Sequence, residues 1–227
     1  MIIAVGATKG GAGKSTTAIN LAVAELTAGR SVLLVDTDLQ GTARDWMNVR
    51  LEGEGRDPEI SFLQVTGKQT FDLIQERAEK FESVIVDCGG RATMELQLSL
   101  AAADVIVVPV QPSNADSWAL SDTITAITRA RDLAKTEIPA AAFVSRGSTN
   151  VKDKEAADLV DLLRTVAGIT VLDARTSERK VYRDALAAGL GVLELQPRTK
   201  KEAPAIEKAQ AEILALRDAI MNVQKAG

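Results

Sequence analysis

Short apolar runs alternate with longer segments of mixed polarity along almost the whole chain. The runs are rich in Val and Ile and are continuous rather than alternating, which is typical of parallel strands covered on both faces. They are IIAV (2–5), SVLLV (31–35), ISFLQV (60–65), SVIVD (83–87), DVIVVPV (104–110), AAAFV (140–144) and ITVL (169–172). Each run therefore predicts a buried strand.

Apolar residues at helical spacing fill the segments between these runs. Helices are predicted over residues 15–27, 68–80, 93–102, 117–133 with Asp116 at its start, 152–167, and 203–224 at the carboxyl end. Alternation of strands and helices predicts an α/β fold: a doubly wound, mostly parallel sheet with helices on both faces. Ligands of such a sheet bind at the carboxyl ends of its strands.

The composition fits one domain over residues 1–227, since the chain has 46% hydrophobic residues and no long polar tract. The single cysteine, Cys88, excludes a disulfide within the chain and favours a reducing compartment. The absence of histidine excludes Ser/His hydrolases and His-ligated zinc sites. No apolar stretch is long enough to span a bilayer, so we expect a cytoplasmic protein.

Charge is distributed unevenly around a net value of -4. Residues 175–201 contain seven basic side chains and three acidic ones, whereas the rest of the chain is acidic. Such a chain can repel polyanions over most of its surface and accept them on one face.

The stretch GATKGGAGKSTT (6–17) has the form of a phosphate cradle between the first strand and the first helix. Glycines allow consecutive backbone N–H groups to surround phosphate oxygens, Lys14 would neutralise the β and γ phosphates, and the Ser15 hydroxyl would bind Mg²⁺. Thr8 stands where the strict pattern has glycine. The alternative is a glycine-rich turn followed by a solvated lysine.

Lys9 is a second lysine in a loop where Lys14 already serves the phosphates. A side chain there could point towards a nucleotide held by a neighbouring subunit, or it could be an exposed loop charge.

Three aspartates follow predicted strands: Asp36 and Asp38 in LLVDTDLQG, and Asp87 in FESVIVDCGG. Carboxylates at this edge of the sheet can hold a metal-bound water and orient an attacking one. Turn capping is the alternative for an isolated aspartate, but three beside a phosphate cradle favour the metal and catalytic roles.

TKGGAGKSTT resembles the deviant Walker A box, K-G-G-x-G-K-[ST], of the ParA/MinD family of ATPases. The resemblance implies that Lys9 crosses a face-to-face homodimer to touch ATP in the partner, and that Lys14 and Asp38 complete the catalytic set. It further implies that Asp36 and Asp87 serve Mg²⁺ together with Ser15, and that the cradle holds the nucleotide. The implied cradle residues are Lys9, Gly10, Gly11, Ala12, Gly13, Lys14, Ser15 and Thr16.

This chain departs from the family in three places. Leu39 replaces the proline usual after the D-x-D box, and Gly89 and Gly90 replace a proline pair after Asp87. Arg146 stands near the position of an asparagine that often contacts adenine. It could stack on the base, or it could be a surface arginine.

The stretch TSERKVYRDALAAG (176–189) resembles the DNA-binding carboxyl-terminal region of ParA proteins. Arg175, Arg179, Lys180 and Arg183 could contact DNA phosphates without reading sequence, so binding would be salt-sensitive. The alternative is a solvated face with ion pairs to Glu178 and Asp184. The 203–224 helix lacks aromatic anchors and suits packing on the sheet better than membrane binding.

The resemblance implies a small ParA-type partition ATPase without an N-terminal helix-turn-helix domain. Its ATP-bridged dimer would coat DNA, and a ParB-like adaptor would stimulate hydrolysis. Three alternatives are an ATPase that positions a protein assembly, a MinD-like membrane regulator and a metabolic P-loop enzyme.

Overall fold

The structure is a computed structural model that describes residues 1–53, 59–91, 93–112, 117–150 and 154–226, with only the backbone of 117–119 and 225–226. Its strands are β1 (Ile2–Val5), β2 (Val32–Asp36), β3 (Ile60–Gln64), β4 (Ser83–Asp87), β5 (Val105–Val110), β6 (Ala140–Val144) and β7 (Thr170–Val171). Its helices are α1 (Lys14–Thr27), α2 (Thr42–Glu52), α3 (Thr70–Ala78), α4 (Met94–Ala101), α5 (Ser117–Ala134), α6 (Lys154–Arg164), α7 (Lys180–Ala187) and α8 (Ala203–Ala226). A short 3₁₀ helix covers Val192–Glu194.

All strand pairs in the described part of the chain are parallel, and the strand order is β3-β2-β4-β1-β5-β6-β7. Alternate strand residues face two separate apolar layers. One layer packs against α3, α4, α5 and α6, and the other against α1, α2 and α8. The predicted doubly wound α/β fold is therefore confirmed.

Several elements differ from their predictions, α2, β7 and α6 among them. Helix α2 was not predicted, although Ala43, Trp46, Met47 and Arg50 are its buried residues and follow helical spacing. Strand β7 has two residues instead of the four predicted. The helix predicted over 152–167 ends at Arg164, and its predicted start at 152–153, like Asp116, lies outside the described residues.

Helix α8 packs its apolar side against α1 and the sheet, as expected. Ile206, Ile213, Leu216 and Ile220 are buried, and Val223 is partly buried. Among the described residues, none of the helices has the length and apolarity needed to cross a membrane.

The sheet brings the ends of three strands together. β1 lies between β4 and β5, and β4 lies between β1 and β2. In register, Asp87 is beside Val5 on one side and beside Asp36 on the other. The loop after β1 and two of the predicted aspartates thus meet at the carboxyl edge of the sheet.

Candidate phosphate-binding site

The loop between β1 and α1 has the backbone that a phosphate cradle requires. Gly11 and Gly13 have positive φ values of 75° and 92°, a region that favours glycine. A Cβ on Gly13 would lie 2.6 Å from the Ser145 Oγ, so a larger residue would also clash. The loop ends at the start of α1, whose N-terminal N–H groups favour a bound anion.

Lys14 is buried and folds back over its own loop. Its Nζ donates a hydrogen bond to the Lys9 carbonyl at 3.0 Å. Burial lowers the pKa of Lys14, and the charges of Asp87 and Asp38 oppose that shift. A Cβ on Gly90 would lie only 2.9 Å from this Nζ, so the glycine after β4 leaves the space that the ammonium group occupies.

Asp87 is fully buried, and neither of its oxygens has a hydrogen-bond partner within the described residues. Burial raises the pKa of Asp87 to about 8; the Ser15 hydroxyl lies close enough to oppose the shift but outside hydrogen-bonding geometry. A buried carboxylate without donors is costly unless a cation or a proton compensates it. This orphaned acid beside a cradle hydroxyl fits a Mg²⁺ site.

A metal beside Asp87 and Ser15 would need further ligands. In the described part of the chain, no three acidic, Cys or His side chains form a group that could hold a metal ion. Mg²⁺ is commonly held by one or two carboxylates together with substrate phosphates. The residues present therefore fit a metal that arrives with a phosphorylated ligand.

Asp36 and Asp38 are arranged differently from Asp87. The two oxygens of Asp36 accept backbone hydrogen bonds from Asp38 at 2.9 Å and from Arg44 at 3.0 Å, which ties the β2–α2 loop to the first turn of α2. Burial raises the pKa of Asp36. Asp38 accepts a hydrogen bond from the Gln40 backbone and lines the cavity in front of the cradle. The metal role of Asp36 and the water-positioning role of Asp38 stay predictions.

A cavity of about 600 Å³ opens in front of the cradle. Its walls come from the cradle, from the loop after β2, from the Gly89–Arg91 segment and from Arg146. A smaller cavity of about 160 Å³ lies on the other side of Arg146, with Thr16, Thr176 and Tyr182 among its lining residues. The larger cavity can accept a polyphosphate, and the smaller one adjoins it.

Lys9 and Thr8 lie on the part of the cradle that approaches α5. The Thr8 hydroxyl is 3.0 Å from that of Thr123, whose Oγ also accepts the Thr8 N–H. Thr8, which breaks the strict cradle pattern, therefore links the loop to α5. Lys9 is half-buried, and its proposed reach into a second subunit stays a prediction.

Arg146 has contacts that its sequence position did not predict. Its Nη1 donates to the Gly11 carbonyl at 2.8 Å, and its Nε donates to Glu178 at 2.6 Å. Its backbone adopts a positive φ of 54°, which is unfavourable for a residue with a side chain. The guanidinium group thus bridges the cradle and the segment before α7, and base stacking stays a prediction.

The four predicted DNA-binding residues divide into two groups. Arg179 bonds Glu212 of α8 at 2.8 Å, and its side chain is only 17% exposed. Burial would raise the pKa of Glu212, but the hydrogen bonds from Arg179, Ser177 and Tyr182 lower it overall.

The second group is exposed. Lys180 pairs with Asp184 and Arg183 with Glu178, while their side chains stay 79% and 71% exposed. Arg175 is also exposed. The ion pairs of the alternative interpretation are present, yet all three cations remain accessible.

Three features of the site were not predicted from the sequence. They are the ion pair of Glu178 with Arg146, the space beside Gly90 that the Lys14 ammonium group occupies, and the hydrogen bond between Thr8 and Thr123. The glycine pair after Asp87 was the only signal for the second feature. The first and third join residues 32 and 115 positions apart, and local pattern does not reveal such contacts.

Comparison with known proteins agrees with this geometry. The model of the CobQ/CobB/MinD/ParA nucleotide binding domain matches residues 3–215. Maintenance of carboxysome distribution protein A of Halothiobacillus neapolitanus is 29% identical over 93% of this chain and 95% of its own length. Protein ParA of Rhizobium radiobacter is 24% identical, with 95% of each chain covered.

Two solved structures share the fold. Apo McdA from Cyanothece has a TM-score of 0.74 at 18% identity and covers 95% of this chain and 99% of its own. A candidate plasmid partition protein from Borrelia burgdorferi B31, bound to AMPPNP, has a TM-score of 0.65 at 18% identity over 94% of this chain and 96% of its own. The family model spans nearly the whole sheet and the cradle within it, so this chain belongs to the CobQ/CobB/MinD/ParA nucleotide binding domain family.

Proposed function

We propose that this chain is a Mg²⁺-dependent ATP hydrolase that dimerises around ATP, binds DNA without sequence preference in that state, and distributes a large cargo along it. One observation carries the proposal: Lys14 and Ser15 of the two-lysine cradle line a cavity, and close to both lies Asp87, a buried carboxylate that accepts no hydrogen bond from the described residues.

Each part of the cradle has a proposed task. Backbone N–H groups of residues 10–16 surround the phosphates, and Lys14 leaves the Lys9 carbonyl to neutralise the β and γ phosphates. Ser15 and Asp87 hold Mg²⁺, with Asp36 supporting its shell, and the bound metal would neutralise charge that develops on the phosphates. Asp38, at the rim of the cavity, orients the attacking water.

Exposed apolar residues near the cavity support a homodimer. Leu39 lines the cavity and is 80% exposed, and Met94 is 57% exposed between two residues that also line it. Large apolar side chains that rim a charged cavity are typical of surfaces covered by a partner. A second copy of this chain would cover them and bring its Lys9 to the ATP of the first.

The DNA contact is proposed for three exposed cations, Lys180 and Arg183 of α7 and Arg175 in the segment before it. Arg179 supports this surface from inside through Glu212 and is withdrawn from direct contact. Phosphate contacts by exposed cations would give sequence-independent, salt-dependent binding.

Two cargoes fit the family. A DNA segment held by a ParB-like adaptor is supported by the ParA relative, and a protein assembly is supported by the carboxysome distribution relative. With either cargo, the proposed location is the cytoplasm, on the nucleoid. The MinD-like membrane reading loses support because α8 buries its apolar side within the fold.

The proposal is tested by sedimenting the chain with non-specific duplex DNA and Mg²⁺, in ATP, in ADP and without nucleotide. We expect retention only with ATP, with affinity that falls steeply as salt rises. Retention that is equal in all three states would contradict the proposal. ATP turnover that rises with a DNA-bound adaptor would assign a DNA cargo, and turnover that rises only with a protein-assembly adaptor would assign the other.

A further inference from the structure

Two loops at the carboxyl edge of the sheet are joined by backbone hydrogen bonds beside the cradle. Gly147 N–H donates to the Thr176 carbonyl at 2.9 Å, and Glu178 N–H donates to the Gly147 carbonyl at 2.8 Å. These bonds place Glu178 next to Arg146, with 2.6 Å between Oε2 and Nε. The backbone hydrogen bonds between the two loops therefore hold the side chains of Arg146 and Glu178 close enough to pair.

The far end of Arg146 holds the cradle itself. Its Nη1 donates to the Gly11 carbonyl at 2.8 Å. Because the peptide bond is planar and trans, the Gly11 carbonyl and the Ala12 N–H point in opposite directions. Anchoring the carbonyl therefore fixes the direction of a backbone donor in the middle of the cradle.

Glu178 restricts how Arg146 can move. A guanidinium group held at Nε and at Nη1 cannot turn without breaking one of two charge-assisted bonds. The hydrogen bond from Arg146 lowers the pKa of Glu178, which keeps this carboxylate ionised at neutral pH. Glu178 lines only the smaller cavity, so it has no place among the residues around the phosphates.

We propose that Glu178 is a positioning residue of the nucleotide site, which holds the Arg146 guanidinium so that Arg146 keeps the Gly11–Ala12 peptide oriented for phosphate. The inference rests on the proposed ATP binding. It assigns to Arg146 a support role in place of base stacking, and it makes nucleotide affinity depend on a carboxylate outside the phosphate cavity.

A double-mutant cycle in the full chain tests this role. The measured quantity is the Kd of a non-hydrolysable ATP analogue with Mg²⁺ for the unmodified chain, Glu178→Gln, Arg146→Gln and the double variant. Glu178→Gln should weaken binding roughly two- to fivefold, as expected for an exposed ion pair. In the Arg146→Gln background the same substitution should have no further effect, because its action passes through Arg146.

Glu137→Gln is the matched control, since Glu137 pairs with Arg131 at 3.4 Å before the amino end of β6, at the opposite edge of the sheet. It should leave the Kd unchanged, and all variants should keep the Tm of the parent. A normal Kd for Glu178→Gln, or an equal loss in both backgrounds, would overturn the inference. Failure of the unmodified chain to bind the analogue would instead overturn the proposed function.

Discussion

The environment of Asp87 is unfavourable for a charged carboxylate without a ligand. Its pKa is raised from 3.8 to about 8 by burial, so folding takes up a proton between these values. The stability linked to this carboxyl is complete below pH 3.8 and is lost as pH rises through about 8.

The substitution Asp87→Asn keeps the shape of the side chain and removes the titration. Without nucleotide or Mg²⁺, its free energy of unfolding relative to that of the parent should rise by at least about 1 kcal/mol from about pH 5 to about pH 8.5, because the parent loses the stability linked to the Asp87 proton over that range. Urea unfolding at both pH values measures this difference. Asp161→Asn, an exposed control on α6, should keep the pH dependence of the parent. If Asp87→Asn also kept that pH dependence, the buried Asp87 carboxyl would not be its cause.

Residue roles could be predicted where chemistry is tied to a local pattern. Lys14 and Asp87 were placed correctly at the same edge of the sheet because a cradle and a strand-end acid each occupy a fixed place in this fold. Arg179 shows the limit: its pairing with Glu212, 33 positions away, could not be predicted from the sequence. The cation and its partly buried acceptor are brought together only by the packing of α8.

Among elements, α8 is fastened to α1 by a buried acid as well as by apolar contacts. Glu25 of α1 is fully buried, and Arg217 of α8 donates to it at 2.6 Å. Arg30 and the Ser83 hydroxyl also bond this carboxylate. Removing one partner of a buried ion pair leaves a poorly compensated charge.

Arg217→Met should therefore lower the free energy of unfolding by about 2 to 4 kcal/mol. Arg164→Met is the control, because Arg164 pairs with Asp161 at 3.6 Å on the exposed side of α6, and it should cost less than about 0.5 kcal/mol. Urea denaturation gives both values. Equal losses would show that the buried pair contributes no more than a surface pair.

The supporting cation Arg179 directly precedes α7, which contains the accessible cations Lys180 and Arg183, and variants can separate the two roles. Arg179→Gln should lower Tm, since it breaks the contact with Glu212. Lys180→Gln should leave Tm unchanged and weaken ATP-dependent DNA binding, with a shallower salt dependence. Thermal unfolding and DNA retention measure these effects; unaltered DNA binding in a combined Lys180→Gln, Arg183→Gln variant would remove α7 from the interface.

Elements were predicted well where both faces are buried by apolar residues, and poorly where the buried face also contains a charged residue. The strands β1, β2 and β4 are buried at every position and consist mostly of Val, Ile and Leu, so their sequence pattern was clear. Helix α2 was missed because Arg50 occupies a buried position, where it bonds Glu194 at 2.7 Å and lies 5.2 Å from the Trp46 ring centre. A charged residue at a buried position interrupts the helical spacing of apolar residues by which a helix is recognised in the sequence.

For the whole molecule, the fold places the nucleotide cavity and the basic surface next to each other. Glu178 accepts hydrogen bonds from Arg146 on the cavity side and from Arg183 on the α7 side. Glu178 thus contacts both the residue beside the proposed nucleotide site and a residue of the proposed DNA contact. Their dependence on a dimer could be expected only from the second lysine, since no other feature of the sequence points to a second subunit.

The mass of the chain in solution, measured by light scattering with Mg²⁺, tests the central claim most directly. With a non-hydrolysable ATP analogue the mass should double from 24.1 kDa, and with ADP or no nucleotide it should not. Lys9→Ala should bind the analogue and stay monomeric, whereas Lys14→Ala should lose binding itself. A chain that binds the analogue and remains monomeric, or a Lys9→Ala variant that dimerises normally, would contradict the account.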